Sequence, residues 1–360
     1  MALVFLGGDG NRRRRNIPRI FRDRMNPLDV MTDHDLLKKY RLDRITILEI
    51  CAQTQQQLLR LTRRSQSLPV SLQVLVALRY YATGSFQSIL ADGHGVSIHS
   101  DSRSIHAVSE AIIRQVPQQI KFPTSRTEIT NTKQRFYEIG GFPNVIGAVD
   151  GTYIPIKTPT DDEHLYVTRK GYHAINVQAV CNGDNLFTNI VVRWPGSTHD
   201  AFIWNNCECV RKIEEMNLQN TWILGDSAYP LKPYLLTPLP TANTEAERRF
   251  NVAHKRTRCV IERTFGIWKM RFRCLHKSGG YMTYTPIKCA KIITAVAVLH
   301  NMCISRNLPL IDDNVNHEDD DNDSDVNGDD NNEKNRENNN NDDGRQVRDN
   351  LIRDMFSHAS

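Results

Sequence analysis

The chain has 360 residues, 39% of them hydrophobic and 24% charged, enough for one large domain or two modest ones with a real core. No run of 18 or more apolar residues is present, so no membrane-spanning helix is expected. The short apolar start at Met1 to Gly8 is followed by arginines, the reverse of a secretory leader, and the eight cysteines form no CxxC pair, which argues against zinc-finger chemistry and for free thiols in a reducing compartment.

Charge is unevenly spread. Residues 311–360 carry 16 acidic and 5 basic residues, while the preceding part carries 41 basic and 25 acidic, a net of +16. A basic body with an acidic tail suggests a polyanionic partner, nucleic acid being the usual one.

Residues 1–30 form a basic, flexible arm holding Arg12 to Arg15, Arg19, Arg22 and Arg24. Such an arm serves as a nuclear import signal or a phosphate-binding arm, or is simply a solvated charge run. Residues 31–140 read as helical. Leu72, Leu75, Leu78 and Ala82 recur at helical spacing up to Gly84, and Phe86, Ile89 and Leu90 mark a short second helix. Ser100 or Asp101 can cap a third, with Ile105, Val108, Ile112 and Ile113 on one face. That order is helix-turn-helix-like and would offer Ser102, Arg103 and His106 to a major groove, although a plain three-helix packing unit has the same pattern.

Residues 141–308 change to short β-branched runs. Asn144 to Val149, His173 to Cys181, Leu186 to Trp194 and Asn220 to Leu224 read as strands, with a hairpin turn at Asn182 to Asn185. Ala201 to Leu218, Thr257 to Phe272 and Pro286 to Cys303 read as helices, which predicts an α/β domain with a mixed sheet. Residues 309–360 are Asp- and Asn-rich with few apolar side chains, so a disordered acidic tail is expected, with a short helical end at Leu351 to Phe356. Deleting residues 311–360 would then tighten DNA binding if the tail competes with DNA for the basic body.

Four acids stand at element ends rather than on solvated faces. Asp150 is read as closing the first strand, Asp200 follows the third, Asp226 closes the fourth, and Glu262 lies inside a helix. One such residue is explained by a turn or a helix cap, and Asp200 in particular could be a cap. Four together point to the edge of a sheet where α/β sites lie. Converging carboxylates repel one another, and Mg²⁺ or Mn²⁺ relieves that repulsion with oxygen ligands. Two such ions about 4 Å apart can activate a water or a DNA 3′-hydroxyl and steady the leaving oxygen in phosphodiester chemistry. Candidate DNA contacts are Arg169, Lys170, Arg258, Arg263, Lys269 and Arg273, against the plainer reading of a solvated basic face. The four tryptophans read as core residues. His199 reads equally as a substrate contact or a structural histidine.

The blocks GAVDGT (Gly147 to Thr152), PGSTHD (Pro195 to Asp200), LGDSAYP (Leu224 to Pro230) and IERTFGIWK (Ile261 to Lys269) resemble the signature blocks of the Harbinger family of DDE transposases and the nucleases derived from them. RKGYHAINVQAV, FNVAHKRTR and AVLHN fit as well, and the resemblance spans about residues 70–305 in order. It implies a ribonuclease-H-like mixed sheet flanked by helices and a metal-dependent site, with Asp150 as the first acid and Glu262 as the last. Asp200 and Asp226 both match acids of the pattern, so all four are carried over as catalytic metal ligands. It also implies a DNA substrate, a Myb-like DNA-binding partner protein and a nuclear location, with cytoplasmic residence when the partner is absent, and it leaves oligomerisation open. Gly93 to Arg103 matches poorly, and the acidic tail lies outside the resemblance. The alternative is a domesticated, catalytically silent DNA-binding or protein-interaction factor. All four acids are present in this chain, which favours the enzyme.

Overall fold

The computed structural model describes residues 26–59, 68–84, 98–311 and 338–357. The basic arm up to residue 25, the predicted short helix at Phe86 to Leu90, and residues 312–337 lie outside that set.

The N-terminal region is helical, as expected: α1 (Pro27–Val30), α2 (Asp33–Tyr40), α3 (Arg44–Leu58), α4 (Val70–Thr83) and α5 (Ile98–Ile113). Side chains satisfy the orphan N–H groups at the helix starts, Thr32 accepting from Asp35 and Asp43 from Thr46. Gly84, at φ 67°, ends α4 in the left-handed conformation that glycine adopts most readily. Helix α5 starts before the predicted Ser100/Asp101 cap, so Asp101 is buried inside its first turn. Tyr81 and Ser109 share a 2.7 Å hydrogen bond between α4 and α5. Two further helices follow, α6 (Val116–Gln119) and α7 (Arg126–Gly140), the second begun by a Ser125/Glu128 capping box.

The mixed sheet comprises β1 (Val145–Pro155), β2 (Ala174–Cys181), β3 (Phe187–Pro195), β4 (Trp222–Leu224) and β5 (Leu235–Leu236). Its order is β3-β2-β1-β4-β5. The first three strands are antiparallel, and β4 and β5 add in parallel. The hairpin turn between β2 and β3 is held by Asn182 Oδ1, which accepts from Asp184 and Leu186, both at 3.0 Å. Around the sheet lie α8 (Glu163–Tyr166), α9 (Asp200–Asn205), α10 (Glu208–Met216), α11 (Glu245–Arg271) and α12 (Pro286–Ser305). This is the ribonuclease-H-like α/β arrangement that the sequence predicts.

Two apolar layers fill the sheet's faces. The larger one joins α11 and α12 to β1 and to the N-terminal helices, so the helical region and the sheet share one continuous core. The smaller packs Trp204 and Ile213 against Ile146, Val149 and Val180. By length and composition α12 could cross a membrane, but Ala295 to Leu299 are all 0% exposed in this larger core. All eight cysteines are free thiols.

Besides the start of α5, four sequence expectations are corrected. Strand β1 does not end at Asp150 but continues to Pro155, because its second half pairs with β2 from Gly151↔Gln178 to Pro155↔Ala174. The helix predicted at Ala201 to Leu218 breaks into α9 and α10 around Asn206 and Cys207. Helix α11 begins at Glu245, twelve residues before the predicted start at Thr257, behind a Thr244/Glu247 capping box. The core face of this extra length is Phe250 and His254, and the histidine is a polar type that a hydrophobic pattern passes over.

The fourth correction concerns the tail. Composition predicts disorder up to residue 350, yet α13 (Asn338–Leu351) is helix, while the short helical end expected at Leu351 to Phe356 is present as the turn Ile352–Phe356. Leu351, Ile352 and Phe356 are buried in the large core, and Phe356 meets Phe142 and Phe250 at ring distances of 5.7 Å each. The apolar residues bunch at one end, so an average over the whole tail hides them. Removing residues 311–360 would therefore strip core residues as well as charge. Phe356→Ala is expected to lower stability by about 3 kcal/mol in urea denaturation, the cost of truncating a buried aromatic ring. A loss near zero would mean that the tail end is not docked.

Candidate active site

The register of β1 sets the geometry. On its parallel side β1 pairs with β4 only as far as Ala148↔Leu224. Asp150 and Asp226 each lie two residues beyond that last pair, side by side where the two strands part. This is the crevice beyond the carboxyl ends of parallel strands. Asp226 Oδ1 accepts from the backbone N–H of Ala228 at 3.0 Å, which fixes the turn after β4.

Asp200 reaches the same place from α9. Its carboxylate lies against Gly151, where a Cβ would stand 2.6 Å from Asp200 Oδ1. Asn176 on β2 braces it, donating from Nδ2 to Asp200 Oδ1 at 3.0 Å and to the Thr198 carbonyl at 2.9 Å. Asp200 is the first residue of α9 and His199 is its cap, so the alternative reading of Asp200 as the helix cap does not hold.

Glu262 arrives on α11, and Arg258, one turn earlier, ties the set together. Its Nη1 donates to Asp150 Oδ2 at 2.8 Å and its Nη2 to Glu262 Oε1. The side chains of Arg258 and Asp150 are 15% and 18% exposed, and that of Glu262 is 46% exposed, so the charge pair is sheltered and the glutamate faces solvent. Burial pushes the Asp150 carboxyl up to about 7. Arg258 opposes the shift, while Asp226 and Asp200 add to it. The Arg258 guanidinium titrates above its ordinary value: burial works against its charge, and Asp150, Glu262 and Asp226 outweigh that.

Tyr229, from the LGDSAYP block, is a site residue that sequence reasoning passed over. It is 4% exposed, packs edge-on to Trp204 at 6.0 Å, and its buried hydroxyl has no hydrogen-bond partner among the described residues. Burial raises its pKa well above the ordinary value, and the charges of Asp200, Asp150 and Asp226 raise it further, which places the phenol beside the acids. Its signal in the sequence was an aromatic residue three positions after a site acid.

The candidate DNA contacts are differently placed. Arg258 lies among the acids rather than on the outer surface. Arg169 is exposed, and its Nη2 is 3.3 Å from His199 Nδ1, next to Asp200. Lys170 beside it is exposed and Lys269 half-buried. Arg263 donates to Asn185 Oδ1 in the hairpin turn at 3.1 Å, and Arg273 to Ser278 Oγ at 3.1 Å. His173 is tied to Glu163 at 3.0 Å and to Thr158 at 3.3 Å. Arg271 is buried on the carbonyls of Leu308 and Pro309. Trp204, Trp222 and Trp268 are core residues, and Trp194 is half-buried.

The donor chemistry fits a hard divalent cation: oxygen ligands only, with a carboxyl whose ionisation its neighbours oppose. Among the described residues, no three His, Cys, Asp or Glu side chains close around a single point as they stand. The positive charge between Asp150 and Glu262 comes from Arg258.

Comparison with known proteins supports the same region. Residues 149–301, which include all four acids, match the family model described as DDE superfamily endonuclease. The chain is 37% identical over 281 residues to "Putative nuclease HARBI1" of Mus musculus, covering 78% of this chain and 80% of that one. The Xenopus laevis protein of the same name is 32% identical over 287 residues, 80% and 83% of the two chains. "Protein ALP1-like" of Arabidopsis thaliana is 26% identical over 265 residues, 68% and 64% of the two.

Proposed function

Because the chain belongs to the Harbinger transposase-derived DDE endonucleases, we propose that it is a metal-dependent endonuclease that cuts DNA phosphodiester bonds between β1, β4 and α11. The supporting observation is the meeting of Asp150, Asp226 and Glu262 around one guanidinium, with Asp200 braced alongside by Asn176. Asp150, Asp226 and Glu262 would hold the cation, with Asp200 next to them. A bound Mg²⁺ or Mn²⁺ would supply Lewis acidity at a phosphoryl oxygen and a more acidic water. Asn176 holds Asp200 in place and Gly151 leaves room for it, while Arg169, beside His199, and its neighbour Lys170 offer positive charge to a DNA phosphate.

One observation favours a second reading, a retired nuclease that binds DNA or proteins without cutting: Arg258 already neutralises Asp150 and Glu262. A Myb-like partner that supplies sequence specificity and delivers the chain to the nucleus is compatible with either reading. The deciding experiment is nicking of labelled duplex DNA in Mg²⁺ or Mn²⁺, comparing wild type with Glu262→Gln and Asp150→Asn. Cleavage by wild type, falling about a thousandfold or more in either variant, is the expected result, since several kcal/mol of charge stabilisation at the phosphoryl group goes with the ion. Equal activity in all three proteins would move the site elsewhere. No activity in any, with or without a DNA-binding partner, would favour the second reading.

A further inference from the structure

Glycine is among the least favourable residues in a helix interior, so one placed there calls for a reason. Among the described residues the other glycines have one. Gly84, Gly141, Gly171 and Gly280 take a positive φ, and each of the rest has an atom within 3.1 Å of where a Cβ would sit, as Gly140 has Thr257. Gly266 has neither. It lies in the interior of α11, is exposed, keeps an ordinary helical φ, and a Cβ there would meet nothing within 4 Å. The fold alone gives no cause for it.

Its position does. Gly266 is one turn beyond Glu262, on the same face of α11. Side chains on a helix lean back towards its N-terminus, so any side chain at 266 would lie over the turn that carries Glu262. Lys255 and Lys269 continue the same stripe to either side, seven residues before Glu262 and seven after it. The gap that Gly266 leaves between Glu262 and Lys269 suits the close approach of a sugar–phosphate backbone.

We propose that Gly266 is a positioning residue: its missing side chain lets a nucleic-acid strand lie against the α11 backbone next to Glu262. This rests on the nuclease reading for the identity of the strand. The test is fluorescence anisotropy of a labelled DNA duplex at low salt, with thermal melting, for wild type, Gly266→Ala and Gly266→Gln. Both variants are better helix formers, and the alanine is expected to raise Tm by about 2 °C. DNA affinity is expected to fall in order of side-chain size, reaching about tenfold for Gly266→Gln. Wild-type affinity in both variants, with Tm held or raised, would overturn the inference while leaving the nuclease reading untouched. Wild type that binds no duplex would overturn both. Graded loss of binding with no nicking by wild type would support the strand contact and count against cutting.

Discussion

Free of metal, Asp150→Asn protein should be more stable than wild type at pH 8, even though it no longer nicks DNA. The folded Asp150 carboxyl titrates near pH 7, against an ordinary value of 3.8, because it is buried and has Asp226 and Asp200 for neighbours. A carboxyl with a raised folded pKa favours the folded state fully below its unfolded pKa. That advantage is lost as pH rises through the folded value. At pH 8 the ionised group therefore strains the fold, and asparagine, which does not ionise, removes the strain. The gain should be roughly 2–4 kcal/mol at pH 8, falling towards zero near pH 4. Urea denaturation in chelator at several pH values measures it. A gap independent of pH, or a variant less stable at pH 8, would mean that Arg258 outweighs burial and holds Asp150 ionised. Stability and activity moving in opposite directions is the mark of a site strained for function, because a packing role would lower both.

The four acids were legible because each sits in a short local block, and local blocks survive without tertiary context. Their convergence was legible in part. An acid next to a β-branched run points to a sheet edge, but only the β1–β4 register puts Asp150 and Asp226 level with each other. Asp150 was read as a strand end because it closes the apolar run Asn144 to Val149, whereas pairing with β2 carries the strand on to Pro155. Arg258 was read as a surface contact because a basic run on a helix usually is one. Its spacing of four residues from Glu262 was the available signal, whereas Arg263, next in sequence to the glutamate, reaches the hairpin turn instead. The two-residue strand β5 has no period to detect, and α13, before the expected helical end, was masked by its own Asn and Asp content.

The same arginine carries the second large effect. Arg258→Ala leaves Asp150, Asp226 and Glu262 without their shared counter-charge in a sheltered crevice, and Arg258 and Asp150 are both less than a fifth exposed. Breaking one partner out of a buried ion pair is expected to cost about 3 kcal/mol in metal-free protein at pH 8. The loss should shrink towards pH 5 as Asp150 takes up a proton, since the neutral acid needs no counter-ion. Arg258→Lys should recover only part of it, because an ammonium is a point charge and lacks the fork that reaches Asp150 and Glu262 at once. Millimolar Mn²⁺ should restore the alanine variant, by mass action on the folded state, and raise wild type less, because there the ion must compete with the guanidinium. Melting curves across pH, with and without Mn²⁺, read all of this. Should Arg258→Ala melt like wild type at pH 8 and ignore Mn²⁺, the acids would not be crowded enough to need a cation, and the metal-dependent reading would lose its physical basis. A guanidinium that balances the carboxylates would keep the metal-free site folded, and under the metal-dependent reading a cation would take over that role. Planar and bidentate, it is equally suited to a phosphate once the carboxylates release it.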